Sequence, residues 1–131
     1  MPNSFVHIEL NTDDVASAKK FYKSLFKWKI APMGPGYLGI DVGKGTGGGM
    51  QKKPMPQAPT SWLPYVEVDD VKKTIAKAKK LGAQIMVEHM AIGDMGAIGV
   101  FVDPTGAGLG VWETAKKPAK RPAKKAKKKA R

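Results

Sequence analysis

His7, Glu9 and Asn11 alternate along Phe5–Val15, and Leu63, Tyr65 and Glu67 alternate along a second segment, Leu63–Val71. Alternation puts each trio on one face of a strand. An imidazole and two carboxylates meeting in a dry cleft can move protons, so His7, Glu9 and Glu67 are the catalytic candidates. The same groups allow a rearranged divalent-metal site, since His7 and Glu9 share a face, Glu67 can stand across from them, and His89 is the other histidine. A third reading makes them the polar, hydrogen-bonded wall of a pocket. Tyr65 and Trp62 can supply an aromatic wall for a ligand ring or pack in the core. Met33, Met50, Met55, Met86, Met90 and Met95 suit adaptable apolar contact or gap-filling equally well.

The elements that position these residues follow from an internal duplication. Superposing Asp13-Asp14-Val15 on Asp69-Asp70-Val71 pairs His7 with Leu63, Glu9 with Tyr65 and Asn11 with Glu67. Each aspartate pair caps a helix, because a carboxylate accepts orphan N–H groups and suits the positive end of the dipole. Val15, Ala18, Phe21, Tyr22, Leu25 and Phe26 recur at helical spacing in the first copy, as do Val71, Ile75, Ala78 and Leu81 in the second. Gly82 is a C-terminal stop for the second helix. Strands are expected at Trp28–Ala31, Tyr37–Val42 and Gly48–Gln51, then at Gln84–Glu88, Ala97–Val102 and Leu109–Trp112. Asp103-Pro104-Thr105-Gly106 reads as a tight turn. Residues 51–60, with Pro54, Pro56 and Pro59, read as an extended linker. The fold class is therefore α+β: two tandem βαβββ modules, about 5–52 and 61–113, form a cupped mixed sheet around a cleft, helices outside. Exposed sheet edges favour a homodimer.

Asp-Asp-Val leading into Phe21-Tyr22-Lys23-Ser24-Leu25-Phe26-Lys27-Trp28, with the closing Val102-Asp103-Pro104-Thr105-Gly106, resembles the vicinal oxygen chelate superfamily. That superfamily includes glyoxalase I, bleomycin-resistance proteins, extradiol dioxygenases and methylmalonyl-CoA epimerase. The resemblance spans about residues 5–113, although Lys27 stands where a glycine is common. Metal-dependent members place a His or Glu on the first and last strand of each module. Those places fall here at His7, Leu63, Gly49 and Gly110, so one ligand type in four is present and no metal is expected at the usual site. The resemblance implies a small-molecule-binding protein. Its ligand would meet His7, Glu9, Asn11, Gly49, Leu63, Tyr65, Glu67 and Gly110, without a cofactor. The enzymatic alternative is a glyoxalase-like lyase, isomerase or dioxygenase using His7 and the inward carboxylates.

The formal charge of +12 is unevenly placed. Through Glu113, 13 lysines stand against 11 acids, leaving +2, and the other ten cations follow. Residues 114–131 contain no apolar residue larger than alanine and read as a disordered basic tail. Lys116, Lys117, Lys120, Arg121, Lys124, Lys125, Lys127, Lys128, Lys129 and Arg131 could neutralise phosphates nonspecifically, tethering a ligand-sensing domain to nucleic acid. The lysines of the second helix read as a solvated face. Gly34-Pro35-Gly36-Tyr37-Leu38-Gly39 fits a dinucleotide-binding pattern formally but opens no helix. The chain has no cysteine and no visible leader or membrane span. The expectation is a cytoplasmic protein, with nucleoid association through the tail.

Overall fold

The computed structural model describes residues 2–115. The element order is β1 (Phe5–Thr12), α1 (Val15–Leu25), β2 (Lys29–Pro32), β3 (Tyr37–Asp41), β4 (Gly48–Lys52), β5 (Ser61–Glu67), α2 (Val71–Lys80), β6 (Gln84–Ile92), β7 (Gly96–Val102) and β8 (Gly108–Thr114). Both helices start where the aspartates predict. Asp14 accepts from the Ser17 backbone N–H at 3.0 Å, and Asp70 accepts from that of Lys73 at 3.0 Å. Helix α2 stops at Gly82, whose φ of +102° suits glycine, while the Gly82 and Ala83 N–H groups donate to the Lys79 and Ala78 carbonyls. The Asp103 turn closes with Gly106 N–H on the Asp103 carbonyl at 2.9 Å.

All eight strands form one curled open sheet in the order β2-β3-β4-β1-β5-β8-β7-β6. Within each module the first and last strands run parallel, β1 with β4 and β5 with β8, and the antiparallel β1–β5 ladder joins the modules. The duplication holds in three dimensions. Glu9 stands beside Gly49, and its repeat partner Tyr65 stands beside Gly110.

The helices cover one face of the sheet. Leu10, Ile30, Ile40 and Met50 form the core of the first module, and Val71, Ile75 and Val111 that of the second. These positions force their strand neighbours, including Glu9, Gly49, Tyr65 and Gly110, onto the opposite face.

Three expectations need correction. The first helical stripe is only half covered: Phe21 and Leu25 are more than half exposed, whereas Val15, Ala18 and Tyr22 pack against the core, Tyr22 on Trp28 and Trp62 at ring separations of 5.7 and 5.4 Å. The bulk of these aromatic rings takes up the space between helix and sheet. The linker is not fully extended either, because Ala58 N–H closes a turn on the Met55 carbonyl and the Lys53 ammonium binds the Ala58 carbonyl at 2.7 Å. Strand β8 runs on through Thr114, whose hydroxyl accepts from Trp112 Nε1 at 3.1 Å. The ten tail cations, Lys116 to Arg131, lie outside the described residues. Among the described residues, no helix is long and apolar enough to cross a membrane.

Candidate functional site

Strand β1 carries the site because its alternation aims His7, Glu9 and Asn11 away from the helices. Glu9 is buried, at 7 % exposure. Its carboxylate is met by donors from three other strands. Tyr37 Oη, from β3, donates to Oε1 at 3.1 Å. Tyr65 Oη, from β5, donates to Oε2 at 3.3 Å, as do Asn11 Nδ2 at 3.2 Å and Gln51 Nε2, from β4, at 3.4 Å. Gln51 Nε2 also donates to Asn11 Oδ1 at 3.0 Å. Among the described residues, every buried side-chain polar atom has a partner.

His7 completes the network through Nε2, which lies 2.7 Å from Tyr37 Oη. With the single Tyr37 proton directed at Glu9 Oε1, the hydroxyl accepts from His7 in the tautomer that carries its proton on Nε2. The chain of donation is thus directional, His7 to Tyr37 to Glu9, and leaves the Nδ1 lone pair of a neutral His7 for another partner. Burial holds the His7 pKa below its ordinary 6.5, with the Glu9 charge opposing in part. Burial also pushes both tyrosine hydroxyls well above the usual phenol range, reinforced by the Glu9 charge and by their hydrogen bonds to it. Tyr37 and Tyr65 are therefore fixed as neutral donors.

The two glycines explain how the rings fit. A Cβ on Gly49 would run into the Tyr37 ring, and one on Gly110 into the Tyr65 ring. The volume that a side chain from either last strand would enter is filled by a tyrosine. Leu63, half-buried, faces Glu9 across the β1–β5 ladder and offers no donor atom. A divalent ion at the four usual strand positions would find His7 alone, with Glu9 beside it already committed to four donors. These residues do not fit a metal. Among the described residues, no three His, Cys, Asp or Glu side chains are grouped to hold one.

Of the residues singled out from sequence, the structure brings together His7, Glu9, Asn11, Gly49, Leu63, Tyr65 and Gly110. Glu67 is not part of the cluster. It continues the Tyr65 face past the site, is exposed, and pairs with Trp112 on β8 rather than with Glu9. The expected carboxylate pair is therefore not assembled. The antiparallel register is the reason: it places Leu63 opposite Glu9 and Val66 opposite Phe5, carrying Glu67 beyond the end of β1. His89 is exposed on β6, at a shallow depression it shares with Asp94 and Glu113, and Glu113 accepts from the Val71 N–H at the start of α2. It takes no part in the cluster, so the rearranged metal set His7, Glu9, Glu67 and His89 is not brought together. Tyr37 and Gln51 are the site residues that the sequence reading missed. Their signal was present in the alternation of the Tyr37 hairpin, which ends opposite Gln51.

The sequence profile described as "Glyoxalase/Bleomycin resistance protein/Dioxygenase superfamily" matches residues 4–111. Among curated proteins, "Putative glyoxylase CFP32" of Mycobacterium tuberculosis is 35% identical over 114 residues, covering 81% of this chain and 44% of its own length. "Anthracycline biosynthesis protein DnrV" of Streptomyces peucetius is 24% identical over 132 residues, covering 85% and 47% respectively. The chain thus spans about half the length of these relatives. Methylmalonyl-CoA epimerase from Mycobacterium tuberculosis shares the fold, with a TM-score of 0.61 at 14% identity, covering 88% of this chain and 90% of the epimerase.

Proposed function

The chain belongs to the Glyoxalase/Bleomycin resistance protein/Dioxygenase superfamily, and within it we propose a small-molecule-binding domain in which a phenol–carboxylate cluster stands where relatives of the metal-dependent type hold an ion. The carrying observation is the pair of tyrosine rings seated over Gly49 and Gly110 with their hydroxyls on Glu9. A ligand entering the cleft meets a polar surface already set by hydrogen bonds, so little ordering remains to oppose binding. Metal analysis of protein purified without added metal tests the reading. Sub-stoichiometric metal is expected; near-stoichiometric metal that His7→Ala removes would overturn it. A thermal-shift screen of aromatic antibiotics, thiol conjugates and acyl-CoA compounds then searches for the ligand.

A catalytic reading rests on one specific observation, the partly buried His7 whose Nε2 lies 2.7 Å from Tyr37 Oη, because the tautomer that donates there leaves Nδ1 with its lone pair. That nitrogen is the one group of the cluster with both a lone pair and the basicity to take a proton from a ligand. Glu9, with four donors on its two oxygens, is an orienting residue in this reading. Turnover by one of the screened compounds that His7→Gln abolishes, with binding retained, would establish it. Nucleic-acid contact through the ten basic residues from Lys116 to Arg131 is a separate proposal and leaves the cleft reading untouched.

A further inference from the structure

The two modules are repeats in backbone but opposites in the chemistry of the cleft. The registers define equivalent places. Tyr37 stands opposite Gln51 on the β3–β4 ladder, and the same place in the second module is Ile98 opposite Trp112 on the β7–β8 ladder. Gly39 opposite Gly49 corresponds to Val100 opposite Gly110. The face is fixed by contacts: a Cβ on Gly110 would point at Tyr65, on the Glu9 side, whereas one on Gly99 would meet Ile75 and Val71 under α2. Val100, Ile98 and Trp112 therefore share the cleft face with Tyr65, joined by Leu63, and each except Tyr65 remains only part-buried. One half of the cleft is a hydrogen-bonded polar floor, and the other is an apolar wall, bordered by exposed Glu67 beside Trp112, that no element covers among the described residues.

The unused valences of the polar half are mostly acceptors. Glu9 accepts four hydrogen bonds, and its donors Tyr37 and Tyr65 have no proton left. His7 retains the Nδ1 lone pair, Gln51 retains Oε1, and Tyr65 Oη retains lone pairs. The spare donor is one N–H of Asn11. No arginine precedes Arg121; Lys29 is exposed on edge strand β2 across from Asp41, and the ammonium of Lys53, two residues past Gln51, is spent on Asp13 at 3.2 Å and on the Ala58 carbonyl at 2.7 Å. Among the described residues no cation contacts the Glu9 carboxylate, and a buried negative charge so placed repels anions and favours donors or cations.

Resting on the small-molecule reading above, we infer that the cleft takes an uncharged or cationic ligand that donates hydrogen bonds to the His7–Gln51 side and lays a ring-sized apolar body on Ile98, Val100 and Trp112. Carboxylate- and phosphate-headed compounds are the class it rejects.

Three probes with one apolar body test this: naphthol, naphthylmethylammonium and naphthoate, titrated at neutral pH into the full chain and followed by backbone amide NMR. Naphthol and naphthylmethylammonium should shift the amides of Glu9, Asn11, Tyr65 and Ile98, with naphthoate at least about tenfold weaker. Glu9→Gln should shrink that gap, and Ile98→Ser should weaken all three probes together. The wild-type comparison alone decides the matter should either variant fold poorly. Naphthoate binding at the cleft as tightly as naphthol would overturn the ligand class and leave the binding reading standing. Shifts confined to other surfaces, or none up to the solubility limit, would overturn both.

Discussion

The Tyr37 ring occupies the space into which a Gly49 side chain would project, and from there its hydroxyl reaches Glu9 at 3.1 Å. Tyr65 bears the same relation to Gly110. Glycine at these two places and tyrosine in these two orientations are therefore one device, and either half without the other leaves a clash or a void.

Gly49→Ala should destabilise the domain by about 1–3 kcal/mol, the usual penalty of an added methyl in a closed space. Most of that loss should disappear in the Tyr37→Ala background, where the methyl has room. A double-mutant cycle by urea denaturation measures the coupling. Additive effects would show that the ring and the glycine are not in contact.

Glu9→Ala strands the Tyr37 and Tyr65 hydroxyls and the Asn11 amide, and each unpartnered buried donor costs roughly 1–3 kcal/mol. Glu9→Gln keeps an acceptor oxygen and should cost less. Chemical denaturation of both variants ranks them; equal losses would mean that the hydrogen bonds add little beyond packing.

Acid pH should weaken the fold through His7. Its folded pKa lies below the ordinary 6.5, so the unfolded chain binds more protons in that window and stability falls as pH drops through it. His7→Gln should flatten the melting-temperature profile just below 6.5. Asp14 and Asp103, held low by hydrogen bonds from Ser17 and Thr105, act in a separate window, since their contribution is lost only as pH falls below their ordinary 3.8. At the alkaline end the raised tyrosines reverse the sign: stability is full below the ordinary 10.0 and is lost above it. Phenolate absorbance should rise together with unfolding.

Truncation after Ala115 removes ten cations and should abolish nonspecific DNA binding while leaving the melting temperature of the domain unchanged. For the full chain, log K should fall by about 0.9 per decade of salt for each phosphate neutralised. Unchanged affinity on truncation would locate any binding on the domain instead.

Local chemistry was the legible part of the sequence. Asp14, Asp70, Gly82 and Asp103 each act within a few residues of their own position, and their caps and turns stand where the residue types place them. The duplication extended this legibility to the equivalence of Glu9 with Tyr65 and of Gly49 with Gly110, because repetition supplies a register. It could not supply Tyr37, whose counterpart Ile98 has different chemistry, and whose contact with Glu9 depends on β3 pairing with β4 and β4 with β1. Glu67 failed for the complementary reason. Its face was read correctly, but the position of that face along the β1–β5 ladder depends on a register that no local signal encodes.

The parallel pairing of β1 with β4, and its antiparallel pairing with β5, have a consequence for the order of assembly. The β2–β3–β4 and β6–β7–β8 hairpins close over short loops, whereas β1 must wait for partners about 40 and 55 residues along the chain and β5 for one about 45 residues along. Nonlocal closures are slow, so we expect β1 and β5 to insert last between the two preformed three-stranded meanders. Pulse-labelled hydrogen exchange should then find the amides of Glu9 and Asn11 protected after those of β7 and β8. Because Glu9 rides on an inserting strand, a chain that has not finished folding has no site at all, and ligand binding becomes a readout of its completion.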